Sequence, residues 1–448
     1  MSDANIGITS DEIQAAEALG AFVAACPSMF HTTATLRARL EREGFTFLPE
    51  DTPWRMVRGG RYFTVRNNSS LIAFSVGSEL DHYHFQVAAA HGDSPAFKVK
   101  AQPELSGPGE SLRLLVEAYG GMIDYTWFDR PLSLAGRVMV RASHGVESRL
   151  VALDRPVALI PSLAIHLDGS VNKGFAPRRN VDLCPLFSAG ALDKGSFVRM
   201  VAEEVGVAAD EVLGYDLYLV NRQEPCVWGQ AHEFISAPKL DDLGCAYAAF
   251  SAFLGARNPH DVSVYCCFDN EEVGSNTKQG AMSTFLADTL ARINAALGHD
   301  EDALRRAVAA SMMVSCDNAH AVHPNHPERY DEGNRAYLNG GIVVKEAANQ
   351  HYCSDAFSRA IFTALCQDAG VPCQTFANRS DMAGGSTLGN LSNIQVSMNG
   401  VDVGLPQLAM HSAYETAGVR DVSLGIRAIR AFYDADIRID GAEGATFA

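Results

Sequence analysis

Apolar and polar positions change period along this chain. Near the amino end, Ile13, Leu19, Phe22 and Val23 fall on one side of a helical repeat, behind a capping box at Thr9-Ser10-Asp11-Glu12. That pattern predicts a helix through about Ala25. A second helix is predicted from Thr33 to Glu43, stopped by Gly44. The period then shortens, and residues 62–65, 70–74 and 85–91 read as strands. From about Gln102 to Gln230, strand-like runs such as 112–116 and 137–140 dominate. Gly107-Pro108-Gly109 and Gly120-Gly121 punctuate them as turns, and few helical patterns appear before residues 197–201. From about Phe234, helical patterns alternate with continuous apolar runs at 262–267, 312–316 and 405–410, and residues 243–250 read as a buried helix. This alternation predicts an α/β fold, an open, mostly parallel sheet flanked by helices. Residues 1–101 and 231–448 would form one discontinuous domain, with a β-rich domain, 102–230, inserted into it.

Chemistry gathers at the ends of these runs. Two adjacent glutamates, Glu271 and Glu272, follow the 262–267 run. Alone they could begin a solvated loop. Four other places repeat the pattern: His91-Gly92-Asp93, Asp241-Asp242 ahead of the buried helix, Asp317 after 312–316, and His411 after 405–410. In an open α/β sheet, sites form beyond the carboxyl ends of strands. Adjacent carboxylates there need water, cations or metal. One can hold a metal while its neighbour moves protons, the division of labour in metal-assisted hydrolysis. Two histidines with several carboxylates and no required cysteine suit zinc, manganese or cobalt. A shared carboxylate can bridge two metals about 3.5–4 Å apart.

Composition narrows the classes. A net charge of -17 argues against nucleic acid, whose phosphates want a basic face. Residues 1–5 lack the basic and apolar regions of a secretory signal, and no run is apolar enough to span a bilayer. Ten scattered cysteines without a CxxC fit a reduced, cytoplasmic location. There is no Gly-x-Ser-x-Gly elbow. The glycine-rich stretches 274–280 and 384–389 fail nucleotide-binding spacings. His82 and His84 alternate as on a solvated sheet face. His320, His323 and His326 follow Asp317, as substrate contacts, packing around Pro324 and Pro327, or a third metal site. The aromatic stretch from Tyr119 to Arg130 reads as core or subunit contact.

Together these segments resemble the M18 metallopeptidases, the aspartyl aminopeptidases and their bacterial relatives, from about Ala16 to Phe432. The specific stretches are His91-Gly92-Asp93-Ser94-Pro95, residues 160–167, 237–243, 269–275, 317–325 and 406–412. The resemblance implies a two-metal catalytic domain, an inserted oligomerisation domain and a tetrahedral homododecamer. It implies that His91, Asp241, Glu272, Asp317 and His411 are metal ligands, with Asp241 bridging. His91 and Asp317 would complete one site, and Glu272 and His411 the other. Glu271 matches the general base, Asp93 the group that orients His91, and His166 a histidine that reaches a neighbouring subunit's active site. Asp242, Gly384 and Asn390 stand where the family commonly has asparagine, cysteine and proline.

The implied activity is removal of an N-terminal Asp or Glu from peptides with a free amine. Two divalent ions per subunit would serve it, zinc with manganese or cobalt as alternatives. Lys345 is a candidate partner for the acidic side chain, a surface lysine being the alternative. A broad-specificity aminopeptidase, another two-metal amide hydrolase and a catalytically silent oligomeric scaffold remain as rivals. Retention of Glu271 and every ligand position weighs against the scaffold.

Overall fold

The computed structural model describes residues 7–447; the amino-terminal pentapeptide that the sequence analysis considered for a signal lies outside them. Thr9 caps a helix Ser10–Ala25 with a complete capping box. The next helix, Met29–Arg42, begins a turn earlier than its pattern predicts. Thr32 and Thr33 weaken the local helical signal, but both are buried. The Thr32 hydroxyl donates to the carbonyls of Ser28 and Gly92, so packing against the site overrides propensity.

A nine-stranded sheet forms the centre. Its four middle strands, Val262–Phe268, Phe85–His91, Met312–Cys316 and Asn399–Gly404, are parallel. The sheet is mixed overall. Ser70–Val76 runs antiparallel to both its neighbours, and Ile342–Glu346 antiparallel to Asn399–Gly404. Successive side chains of the middle strands serve opposite faces. Ala88, Tyr265, Cys267 and Val314 pack beneath the helices Leu240–Gly255, Ala356–Asp368 and Val419–Asp434. Val87, Ala89, Val264 and Cys266 pack against Phe285–Ala296. Burial on both faces explains why these strands read as continuous apolar runs rather than alternating ones.

A six-stranded antiparallel sheet draws its strands from between Ala96 and Asn221. Its own core includes Phe97, Val138, Leu217 and Phe197, the last from the helix Ser196–Val205. A five-stranded sheet joins Ala319–His320, Pro406–Leu408, Glu415–Gly418, Phe234–Ala237 and Cys226–Trp228. It corrects two expectations. The apolar run 405–410 is not one strand, because it contributes three residues to this small sheet and then turns. His411 therefore lies within the turn joining Pro406–Leu408 to Glu415–Gly418, at φ 65, rather than at a strand end. His82 and His84 also do not alternate on a strand. They precede Phe85–His91 in a turn, and His84 is buried.

Candidate active site

Register builds the site. Phe268 pairs with His91, so chain leaving the two strands carries Glu271 and Glu272 alongside His91. Ser315 pairs with Ala89 on the other side, which brings Asp317 to the same rim. The helix Leu240–Gly255 begins with non-helical backbone at Asp241 and Asp242, beneath that rim.

The expected ligand positions converge. Asp241 stands between the two histidines: Oδ1 is 3.6 Å from His91 Nε2 and Oδ2 is 3.3 Å from His411 Nε2. Glu272 Oε2 is 3.4 Å from His411 Nε2. Asp317 joins His91, Asp241 and Asp242 within 4.8 Å. Glu271 Oε2 is 3.9 Å from His91 Nε2. His166 is not among the residues around the cluster; it lies exposed in a loop after Ile160.

Three further carboxylates fix the backbone of the converging segments, each accepting two amides. Asp93 accepts from Glu271 and Glu272 N–H, both at 3.2 Å, and sits 3.3 Å from His91 Nδ1. Asp242 accepts from His91 N–H at 3.1 Å and Asn318 N–H at 3.2 Å. Glu415 accepts from His411 N–H at 2.6 Å and Asp241 N–H at 2.9 Å. Every segment that carries an expected ligand is thus tied to another through a buried carboxylate. Supporting bonds of this kind orient metal ligands.

Sequence reasoning missed two of these partners. Glu415 follows His411 by one turn and had no motif of its own. Tyr119, expected as core or subunit contact, instead donates from its hydroxyl to Asp93 Oδ2 at 2.6 Å and accepts from Asn270 Nδ2 at 2.9 Å. Ile123 N–H donates to the His411 carbonyl at 3.0 Å. The residues after the Leu112–Tyr119 strand of the six-stranded sheet therefore brace the site directly.

Electrostatics show a surplus of negative charge. Burial pushes the Glu271 carboxyl up to about 8, with Asp317, Asp93 and Asp241 adding to the shift. Burial likewise pushes Asp317 up to about 6 and raises Glu272 well above the carboxylate range. Burial opposes ionisation of Asp241 too, but the facing imidazoles of His411 and His91 hold it below the usual range. Asp241 Oδ1 and Glu272 Oε1 are buried without hydrogen-bond partners. Unpartnered buried carboxylate oxygens beside imidazoles ask for cations. The donor separations of 3.3–3.6 Å match the spacing of about 3.4 Å between ligands around a tetrahedral zinc. The residues present fit metal binding.

A cavity of about 290 Å³ opens from the cluster past His320, Tyr352, Phe376 and Thr387. Lys345 lines it and is only 2% exposed, which removes the surface-lysine alternative. Its Nζ donates to the Asp317 carbonyl at 2.7 Å. Burial alone would lower its pKa, but Asp317, Tyr352 and Asp402 keep it charged.

Fold and donor set together define a metal-centred hydrolytic site on an α/β scaffold. The chain belongs to the M18 family: the model of the aminopeptidase I zinc metalloproteases (M18) matches residues 22–433. It is a metal-dependent aminopeptidase, as its sequence motifs had implied. It is similar to the probable M18 family aminopeptidase 2 of Clostridium novyi, with 39% identity over 430 residues, covering 95% of this chain and 99% of the relative. The corresponding Pseudomonas paraeruginosa protein is 42% identical over 419 residues, covering 92% and 96%. Among solved structures, one from the Ape4 and Nbr1 complex superposes with a TM-score of 0.91 at 34% identity, over 95% of this chain and 87% of that one. The S. cerevesiae mApe1 dodecamer gives a TM-score of 0.82 at 25% identity, over 94% and 97%.

Proposed function

We propose that the chain removes acidic residues from peptide N-termini, using two divalent ions per subunit and Glu271 as general base. One ion would be held by His91, Asp317 and Asp241, the other by His411, Glu272 and Asp241. Zinc fits these donors, with manganese or cobalt as alternatives. When bound, the ions supply Lewis acidity toward the scissile carbonyl and the attacking water. Glu271 faces the same space and is only partly buried, its side chain 13% exposed. It takes the water's proton and passes it to the leaving amine. Asp93 holds the amides of Glu271 and Glu272 and orients His91. The substrate's free amine meets the remaining carboxylate surface, which makes the enzyme an exopeptidase.

Lys345 is the observation that carries the acidic preference. It is a buried, charged ammonium lining the cavity of about 290 Å³ beside the catalytic cluster. A carboxylate entering that cavity gains a charge-assisted partner, whereas an aliphatic side chain leaves the ammonium facing apolar atoms. A panel of fluorogenic aminoacyl substrates, read with and without chelator, tests this. Asp and Glu substrates should exceed Ala and Leu in kcat/KM by at least about tenfold, the worth of one charged hydrogen bond. Lys345→Met should erase that ratio. Equal rates across the panel would indicate a broad aminopeptidase; no metal-dependent turnover at all would indicate a silent scaffold.

The subunits are proposed to form a tetrahedral dodecamer through the inserted β-rich domain, 102–230, as the similarity to a dodecameric mApe1 supports. The loop carrying His166 is unusually apolar for its exposure, with Leu163 at 59% and Leu167 at 75%. We place that loop against a neighbouring subunit. The ten unpaired cysteines support a reducing, cytoplasmic location, and among the described residues no helix is long and apolar enough to cross a membrane.

A further inference from the structure

A second set of metal-donor side chains lies at the opposite end of the sheet. Donor atoms of Asp81, His82 and His260 all fall within 4.8 Å of one another. His260 Nδ1 is 2.7 Å from Asp81 Oδ1 and 3.6 Å from Glu79 Oε2. His82 Nδ1 is 4.0 Å from Asp81 Oδ1 and 3.1 Å from Asp436 Oδ1. Three separate segments meet here: the turn ahead of Phe85–His91, the loop ahead of Val262–Phe268, and the chain just after Val419–Asp434. The seven-residue strand Phe85–His91 separates this cluster from the active site by roughly 23 Å.

Beside this cluster, His84 is left unsatisfied by ion pairing. His84 Nδ1 lies 2.6 Å from the His82 carbonyl. A carbonyl only accepts, so Nδ1 carries the proton and Nε2 presents a lone pair. That Nε2 is buried without a hydrogen-bond partner, and Asp261 Oδ2 faces it at 3.6 Å. His84 is 3% exposed and lines the same cavity as Asp81 and His82, a space of about 490 Å³. Asp436 adds the arrangement expected behind a metal-binding histidine. Its Oδ1 accepts a hydrogen bond from His82 Nδ1–H, which leaves the lone pair on Nε2, while Arg438 donates to its other oxygen at 3.0 Å. Arg58 donates to the Glu79 carbonyl and leaves the Glu79 carboxylate uncommitted to it.

We propose that Asp81, His82 and His260, with Glu79 able to close the shell, form a non-catalytic divalent-cation site for which zinc is the fitting ion. Imidazole with carboxylate oxygen is a zinc donor set, and three donors already converge. The ion would pin together the amino ends of the two strands whose carboxyl ends carry His91 and Glu271. Its effect falls on stability rather than on the chemical step.

The test compares full-length wild type with a His82→Asn, His260→Asn double variant, after equilibrium dialysis at micromolar free zinc. Metal is counted by plasma mass spectrometry. Wild type should hold one more zinc per subunit than the variant, and the two should share the same kcat within about twofold, since neither residue touches the reaction. Added zinc should raise the thermal midpoint of wild type but not of the variant. Equal zinc content would overturn the site, as would an excess that fills only at millimolar zinc. Should the double variant fail to fold, Asp81→Asn keeps the side-chain shape and must weaken the extra zinc at least tenfold; unchanged affinity there also overturns the proposal. Because the readout is a difference between proteins sharing one active site, it stands apart from any result on peptide specificity.

Discussion

Glu271 and Glu272 are neighbours in the chain and opposites in environment. Glu272 Oε2 approaches His411 at 3.4 Å and its Oε1 is a buried orphan. Glu271 turns toward His91 and the cavity. Asp93 accepts both their amides, so one carboxylate sets the direction of two others. Glu271→Gln keeps the shape and the backbone bonds but cannot accept the water's proton. It should retain its metals and lose turnover by about 10²-fold or more. Glu272→Gln removes a carboxylate oxygen from beside Asp241 and His411 and should lose metal as well. Metal content and kcat measured on the same preparations decide the assignment. Depleted metal in Glu271→Gln beside full metal in Glu272→Gln would exchange the two roles.

Secondary elements were legible wherever burial and period agreed. The parallel strands were readable because apolar faces on both sides leave unbroken runs, and the capped first helix because its four polar residues have one structural use. The second helix, the run 405–410 and the histidines at 82 and 84 were not. Each depends on long-range contact: Thr32 on Gly92, His411 on Ile123, and His84 on Asp261. No local window contains those partners. The second helix also carries a titration. Burial, with Lys239 nearby, pushes His31 down to about 4. Between about pH 4 and 6.5 the unfolded chain therefore binds a proton that the folded chain does not. Stability from this group is full above the unfolded value of about 6.5 and is lost as pH falls toward 4. Partial exposure limits the change to about 1–2 kcal/mol. Denaturant midpoints followed over that range should fall more steeply in wild type than in His31→Asn. Parallel curves would show that His31 is not the titrating group.

At the scale of the whole molecule, the six-stranded sheet braces its own active site and, in the proposed assembly, offers a loop to another. Tyr119 and Ile123 reach back to Asp93 and His411 of the same chain. His166 does not, and the loop around it exposes Leu163, Ile165 and Leu167. An apolar loop held away from its own core needs a second surface to cover it. In the dodecamer proposed above, that surface would be the mouth of a neighbour's cavity, where a histidine could donate to oxygen charge developing in the transition state. Donation of this kind is worth most in a site closed to water. The arrangement makes a demand on mixed particles. His166→Ala and Glu271→Gln should each be nearly inactive alone. Dissociated, mixed and reassembled, they should recover activity, because some sites then combine an intact base with an intact histidine from the next subunit. Native mass measurement verifies that hybrids formed. Verified hybrids no more active than their parents, or full turnover by His166→Ala alone, would place that histidine outside the reaction and leave the loop a packing element.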